Sequence, residues 1–250
     1  MLLSVKESAY ANNALYIATS NDVAKRIHLD VISNNAANVN TVGYEQDNVI
    51  FKPVIHKESK AKHDAFVIPK GNYRAGEQGV LRQTGNPLDL AIVSERGYFM
   101  VLTPRGVRFT LAGKTLVDAN STLVTPDGYQ LASRDGQPML FPEQYTVIEV
   151  KNDGTIYADD QEVGVIGVFD FNAGTELVKE GSSLYSASKP ALLIDADIVT
   201  IASGFLRTSN VNSTKILTEV IELQRSAASS QELVKNISSL ERNAVAKLMK

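Results

Sequence analysis

The chain has 250 residues, 44% hydrophobic and 21% charged, with 25 basic against 28 acidic side chains and a formal net charge of −3. It contains no cysteine, no tryptophan and three histidines, which excludes a disulfide framework, thiolate metal sites, iron–sulfur clusters and cysteine nucleophiles. A pI near 5.7 supplies no chain-wide positive field for a nucleic-acid backbone, and no run approaches the roughly eighteen apolar residues of a spanning helix, so neither nucleic acid nor membrane insertion is expected.

At the N-terminus, Lys6 is followed by Glu7, Asn12 and Asn13 where a secretory signal needs an apolar core. The chain is therefore expected either to stay inside the cell or to leave by a route that reads no cleavable peptide. Leu15, Ala18, Val23, Ala24, Ile27, Val31 and Ile32 then recur at steps of three and four among charged residues, which predicts an amphipathic helix over about Ala9 to Asn35. Asn34, Asn35, Asn38, Asn40, Thr41 and Gly43 follow. Their short polar side chains compete for backbone groups and the glycine reaches positive φ, so a polar turn is expected there.

Residues 1–49 are thus read as a helix and its turn, and 50–78 as an extended connector. From 79 to 203 the pattern changes. Gly85-Asn86-Pro87, Pro104-Arg105-Gly106, Pro126-Asp127-Gly128, Arg134-Asp135-Gly136 and Asn152-Asp153-Gly154 separate short β-rich runs at Leu90 to Val93, Tyr98 to Leu102, Thr146 to Val150 and Val163 to Phe171. Turns at that spacing predict an antiparallel β domain.

All sixteen glycines and eight prolines lie at or before Gly204. The remainder, 204–250, is read as a long terminal helix, with Ser213 or Thr214 as its N-cap. Ile216, Val220, Leu223, Ala227, Ser230, Val234, Ile237 and Leu240 step by threes and fours, a coiled-coil-like seam. Two stripes that no single helix can bury predict the fold class: mixed, mainly β, with an antiparallel β domain inserted between N- and C-terminal helices that pair with each other. The plainer arrangement, two helices each packed on the β domain, leaves a helix of about 50 Å longer than such a domain covers.

Catalytic patterns fail one by one. Gly113-Lys114-Thr115 lacks the glycine that a phosphate loop needs where Arg108 stands. Asp153, Asp159 and Asp160 miss the calcium-loop spacing, since Thr155, Tyr157 and Gly164 occupy ligand positions. Asp195 and Asp197 share a strand face, and His28, His56 and His63 have no metal-ligand spacing. No catalytic residue, metal or cofactor is implied.

Asn34-Asn35-Ala36-Ala37-Asn38-Val39-Asn40-Thr41-Val42-Gly43-Tyr44 closely resembles the asparagine-rich signature of the flagellar basal-body rod and hook family. Gln83-Thr84-Gly85-Asn86-Pro87-Leu88-Asp89-Leu90-Ala91-Ile92 with Gly97-Tyr98-Phe99, and Ser209-Asn210-Val211 with Glu222-Leu223-Gln224-Arg225, are similar to two further stretches of that family. The length and the Asn13-Ala14-Leu15-Tyr16 opening look most like its proximal rod members, with distal rod members next.

The resemblance implies a structural subunit that pairs its terminal helices and stacks helically, with copies of itself and with homologous rod and hook-family subunits, into a hollow shaft for torque transmission. It implies a place in the periplasmic part of the basal body, reached through the flagellar export apparatus without a cleavable signal. On that reading Leu15, Val23, Ile27, Val31, Ile216, Val220, Leu223, Val234, Ile237 and Leu240 form the helical seam. Asn34, Asn35, Asn38, Asn40, Thr41 and Gly43 shape the bend, and Gln224 and Arg225 set register. The competing reading is a β-domain module for carbohydrate or cell wall, oligomerised by its helices, with Tyr98, Phe99 and Phe109 toward the sugar.

Overall fold

A computed structural model describes residues 2–56, 64–74, 78–94, 96–172, 174–181, 183–195 and 198–248. The side chains of 2–18, 53–56, 64–74, 237, 240, 241 and 243–248 lie outside that description. The chain is mainly β, with helix α1 at Leu2–Ala37, helix α2 at Ser213–Leu248 and antiparallel sheets between them. It divides into two compact units: Met1–Ala37 with Asp47–Ala75 and Asn212–Lys250, and Asn38–Gln46 with Gly76–Val211.

In the helical unit each helix runs for 36 residues. α1 begins well before Ala9, because residues 2–8 contain neither glycine nor proline and the helix propagates past the end of its apolar stripe. α2 is capped by Asn212, not Ser213 or Thr214: the Lys215 amide donates to Asn212 Oδ1 at 3.1 Å and the Ile216 amide to its carbonyl at 3.0 Å.

Most of the described part of 50–78, expected as an extended connector, is an antiparallel hairpin of β1 (Asp47–His56) and β2 (Asp64–Arg74), with a register irregularity at Ile50/Phe51. The hairpin packs on α1, which also packs on α2. α1 therefore buries two faces, one against each partner.

In the β unit the largest sheet centres on Tyr98–Thr103, which pairs along one edge with Gly106–Thr110 and on the other with Gln130–Leu131 and Val168–Asp170. A separate three-stranded sheet joins Ile148–Val150, Thr155–Ala158 and Gln161–Val165. The glycines of the five expected turns, Gly85, Gly106, Gly128, Gly136 and Gly154, all have φ between +77° and +99°, a region other residues enter only at a cost.

Two apolar clusters form the core. One gathers Leu90, Phe99, Val101, Leu123, Leu131, Phe141, Ile156 and Ile201, and the other Met100, Phe109, Ala132, Phe169 and Tyr185. The unit reaches beyond 79–203. Phe205–Arg207 pairs with Leu81–Gln83, and the chain at 38–46 packs here through the buried Tyr44, so both segments lie with the sheets and not with the helices.

Candidate assembly surface

Along α2, Ile216, Val220, Leu223, Ala227, Ser230 and Val234 are buried or half-buried in alternating steps of four and three, with Ile216 only 3% exposed; Glu219, beside Val220, and Ser238, one further step on, are half-buried too. Opposite them stands α1. The ammonium of Lys25 donates to Ser230 Oγ at 2.6 Å and to the Ser226 carbonyl at 2.9 Å. A groove of about 230 Å³ runs between the helices, with Leu29, Leu223, Ala227 and Ala228 as its apolar lining and Asp22, Arg26, Gln224 and Gln231 as its polar lining. Asp22 and Arg26 form an ion pair one turn apart at 3.0 Å.

The helices are antiparallel. Asn35 bonds to Asp47 while the adjacent Gln46 bonds to Asn210, so the end of α1 and the start of α2 are close. Lys25 is twelve residues before Ala37, and its partner Ser226 is thirteen after Ser213.

The α1 stripe read from sequence is only partly the seam. Ile27 and Val31 are half-buried, but Val23 is 48% exposed. It lies six residues from Leu29, about 120° round the helix, and so points away from the groove. Leu29 and Lys25 were missed, because a stripe search assumes one buried face and α1 has two. The second face carries His28, whose ring meets Phe51 of the hairpin edge-on at 5.8 Å. Gln224 and Arg225 are exposed, and Gln224 lines the groove. The side chains of Leu15, Ile237 and Leu240 lie outside the described residues.

The asparagine-rich stretch divides its work. Asn35, 1% exposed, donates to the Asp47 carbonyl at 2.8 Å and accepts from the Asp47 amide at 3.0 Å, so one side-chain amide stands in for a strand partner and ties α1 to β1. Thr41 donates from its hydroxyl to Asn38 Oδ1 and from its amide to the Asn38 carbonyl, closing the turn. Asn34 and Asn40 are exposed.

Within the β unit the Gly43 amide donates to the Arg207 carbonyl at 2.9 Å, and a Cβ at Gly43 would lie 2.4 Å from the Ala112 nitrogen. Tyr44 is buried beneath the Lys179 ammonium, 3.6 Å from the ring centroid, and that ammonium also donates to the Glu45 carbonyl at 2.8 Å. Glu45 accepts from the Tyr185 hydroxyl at 3.3 Å. Arg207 is buried and donates to the Ile92 carbonyl and to Gln78 Oε1. Burial pushes its guanidinium below the ordinary value, and the Glu45 charge acts the other way. These fixed groups hold the exit of residues 38–46 in place; Asn38, Asn40 and Thr41 gave that signal in sequence, whereas Lys179 and Arg207 gave none.

Among the described residues no group of three or more His, Asp or Glu side chains is gathered to hold a metal, and no helix is long and apolar enough to cross a membrane. Asp159 accepts from the Thr146 and Val147 amides, and Asp195 pairs with Arg134 at 3.3 Å. Asp197 lies outside the described residues. Phe99 and Phe109 are buried, and Tyr98 packs edge-on against Tyr185 at 5.7 Å. These aromatics are core, and the sugar-binding reading built on them finds no support.

Two family models match the chain: the flagellar hook protein FlgE/F/G D1 domain over residues 92–158 and the flagella basal body rod protein over residues 15–44. A flagellar basal-body rod protein FlgF of Mesorhizobium japonicum is 31% identical over 234 residues, which span 93% of this chain and 96% of the relative. The FlgF protein of Caulobacter vibrioides is 30% identical over 246 residues, 96% of this chain and 99% of its own. A flagellar basal-body rod protein FlgG of Bacillus subtilis is 32% identical over 251 residues, 88% and 93% of the two chains.

Proposed function

The chain belongs to the flagellar basal-body rod protein family, and from that premise we propose that it is a non-enzymatic subunit that polymerises helically into the hollow rod, transmitting torque and enclosing an export channel. Its place is the basal body. Similarity across nearly the whole length of rod proteins carries this reading, and the paired helices supply a physical basis for it. A seam only half-buried in one copy, beside a groove with an apolar lining, gains further burial when copies pack together.

The finer parts of the reading follow the same line. The subunit lies in the periplasmic part of the shaft, leaves through the flagellar export apparatus, and neighbours homologous rod and hook-family subunits as well as copies of itself. Val220, Leu223 and Val234, with Ile27 and Val31, carry helix packing, Asn35 and Gly43 fix the bend, and Gln224 and Arg225 contribute polar contacts. FlgF and FlgG relatives are comparably similar, at 31%, 30% and 32% identity. An open helical polymer needs a heterologous interface, in which two different faces of one subunit match.

The test is location. An affinity-tagged chain expressed from its native locus should co-purify with intact basal bodies, and deleting it should leave cells without complete rods. Complete, motile flagella in the deletion strain would refute the proposal.

A further inference from the structure

The β unit carries an apolar projection and an apolar groove attached to different core clusters. The projection is residues 140–147. Leu140 and Val147 are 65% and 60% exposed, and Tyr145 stands beside them. Both ends of this segment are tied to the fold. Phe141 is buried in the first core cluster and meets the Tyr145 ring at 5.6 Å, while Leu140 bridges to Thr122. Asp159, at φ +47°, accepts from both the Thr146 and the Val147 amides at 2.7 Å. Asp159 and Asp160 are the two central residues of the tight turn that joins Thr155–Ala158 to Gln161–Val165, where left-handed geometry at both positions is ordinary, and the Asp159 carboxylate ties that turn to the loop.

The groove has a volume of about 450 Å³, within the range of clefts that accept a large apolar group. Its floor is Met100, Phe109 and Phe169 of the second core cluster, each 6–9% exposed, its open apolar rim is Val107, Pro190 and Ala191, and Arg108, Ser186 and Ser188 add polar lining. Charge differs at the two places. Exposed Glu143 lies within the projection and Asp160 follows the clamping Asp159, whereas exposed Lys189 lines the groove.

We propose that the Leu140–Tyr145–Val147 projection of one copy seats in the Met100–Phe109–Phe169 groove of a second copy, with Glu143 facing Lys189. The inference rests on the polymer reading above and names a contact for it. A projection and a groove on one subunit make a heterologous contact that repeats from copy to copy and does not close on itself. Apolar burial supplies attraction, and the opposite charges fix which way the projection enters.

The absence of native cysteine makes the test clean. Full-length chain carrying Val147→Cys and Ala191→Cys is assembled and oxidised with diamide, and should give a ladder of disulfide-linked species that neither single variant gives. Glu143→Lys and Lys189→Glu should each weaken self-association about threefold to fivefold, and the double variant should restore it. Sedimenting assemblies without a ladder, or single charge reversals that the double variant does not repair, overturn the contact and leave the polymer reading standing. A wild-type chain that never self-associates removes the polymer reading and this contact with it.

Discussion

The Lys25 ammonium lies 2.6 Å from the Ser230 hydroxyl, so a charged hydrogen-bonded pair interrupts a seam whose neighbouring steps are Leu223, Ala227 and Val234. Apolar contacts between two long antiparallel helices are nearly degenerate to a slip of one heptad, whereas this pair forms in one register only. Replacing Ser230 by Val should therefore preserve or raise thermal stability while loosening register. Spin labels at Asp22 and Gln231 would read the change as a broadened distance distribution, and an unchanged narrow distribution would show that shape alone sets the register.

Asn35 makes both of its bonds to Asp47 inside a buried site. Asn35→Ala leaves a backbone donor and an acceptor unpaired and should cost about 2 kcal/mol in urea unfolding. Asn35→Asp should not rescue it, because a carboxylate cannot donate to the Asp47 carbonyl and brings a buried charge. Full stability in the aspartate variant would mean that the side chain is solvated and the two bonds unimportant.

How much of this was legible in sequence depends on how local the cause is. α2 and the turns were readable because each follows from nearby residues: a run without glycine or proline, and turn glycines at regular intervals. The asparagine string announced a bend for the same reason. The β1–β2 hairpin was not legible. Its strands Asp47–His56 and Asp64–Arg74 are separated by a charged stretch and show no clean alternation against one core, since the hairpin is supported by α1. Val23 stands exposed away from the α1–α2 groove, and Leu29, which lines that groove, was overlooked, because α1 serves two partners. Arg207 and Lys179 reach the bend from distant strands, across sequence separations that no local pattern records.

Gly43 has φ +68° and no room for a Cβ against Ala112. Gly43→Ala combines left-handed strain with a backbone clash and should destabilise the β unit by roughly 2–3 kcal/mol. Amide exchange would localise the effect: the Gly43 amide, bonded to the Arg207 carbonyl, should exchange faster, while the amides of α2 should keep their protection. Uniform loss across both units would show that they unfold as one.

Acid sensitivity has a visible source at Glu180. Its hydrogen bond from Arg108 Nε at 2.9 Å is the main cause that holds this carboxyl below the usual glutamate range, and desolvation opposes it. A folded-state value lower than the unfolded one means that the bond contributes above the unfolded carboxyl range and is lost as pH falls through the folded value. Wild-type chain should accordingly lose more stability than Glu180→Gln as pH drops below about 5. Parallel urea titrations at several pH values compare the two, and identical slopes would remove Glu180 from the account.

Leu223 sits where intramolecular packing and assembly meet, half-buried on the seam and lining the groove against Asp22, Lys25, Arg26 and Leu29. A carboxylate there is desolvated among apolar groups, and the adjacent Asp22 adds like charge, so Leu223→Asp should break the helix pairing. The β unit has its own two core clusters and should keep its near-ultraviolet signal from the tyrosines around Phe109 and Tyr185. Circular dichroism should thus show lost helical signal with the β unit intact, and cells carrying the variant should lack complete rods. Helices that persist while rods fail would place Leu223 in contacts between copies; complete rods with the variant would remove it from assembly altogether.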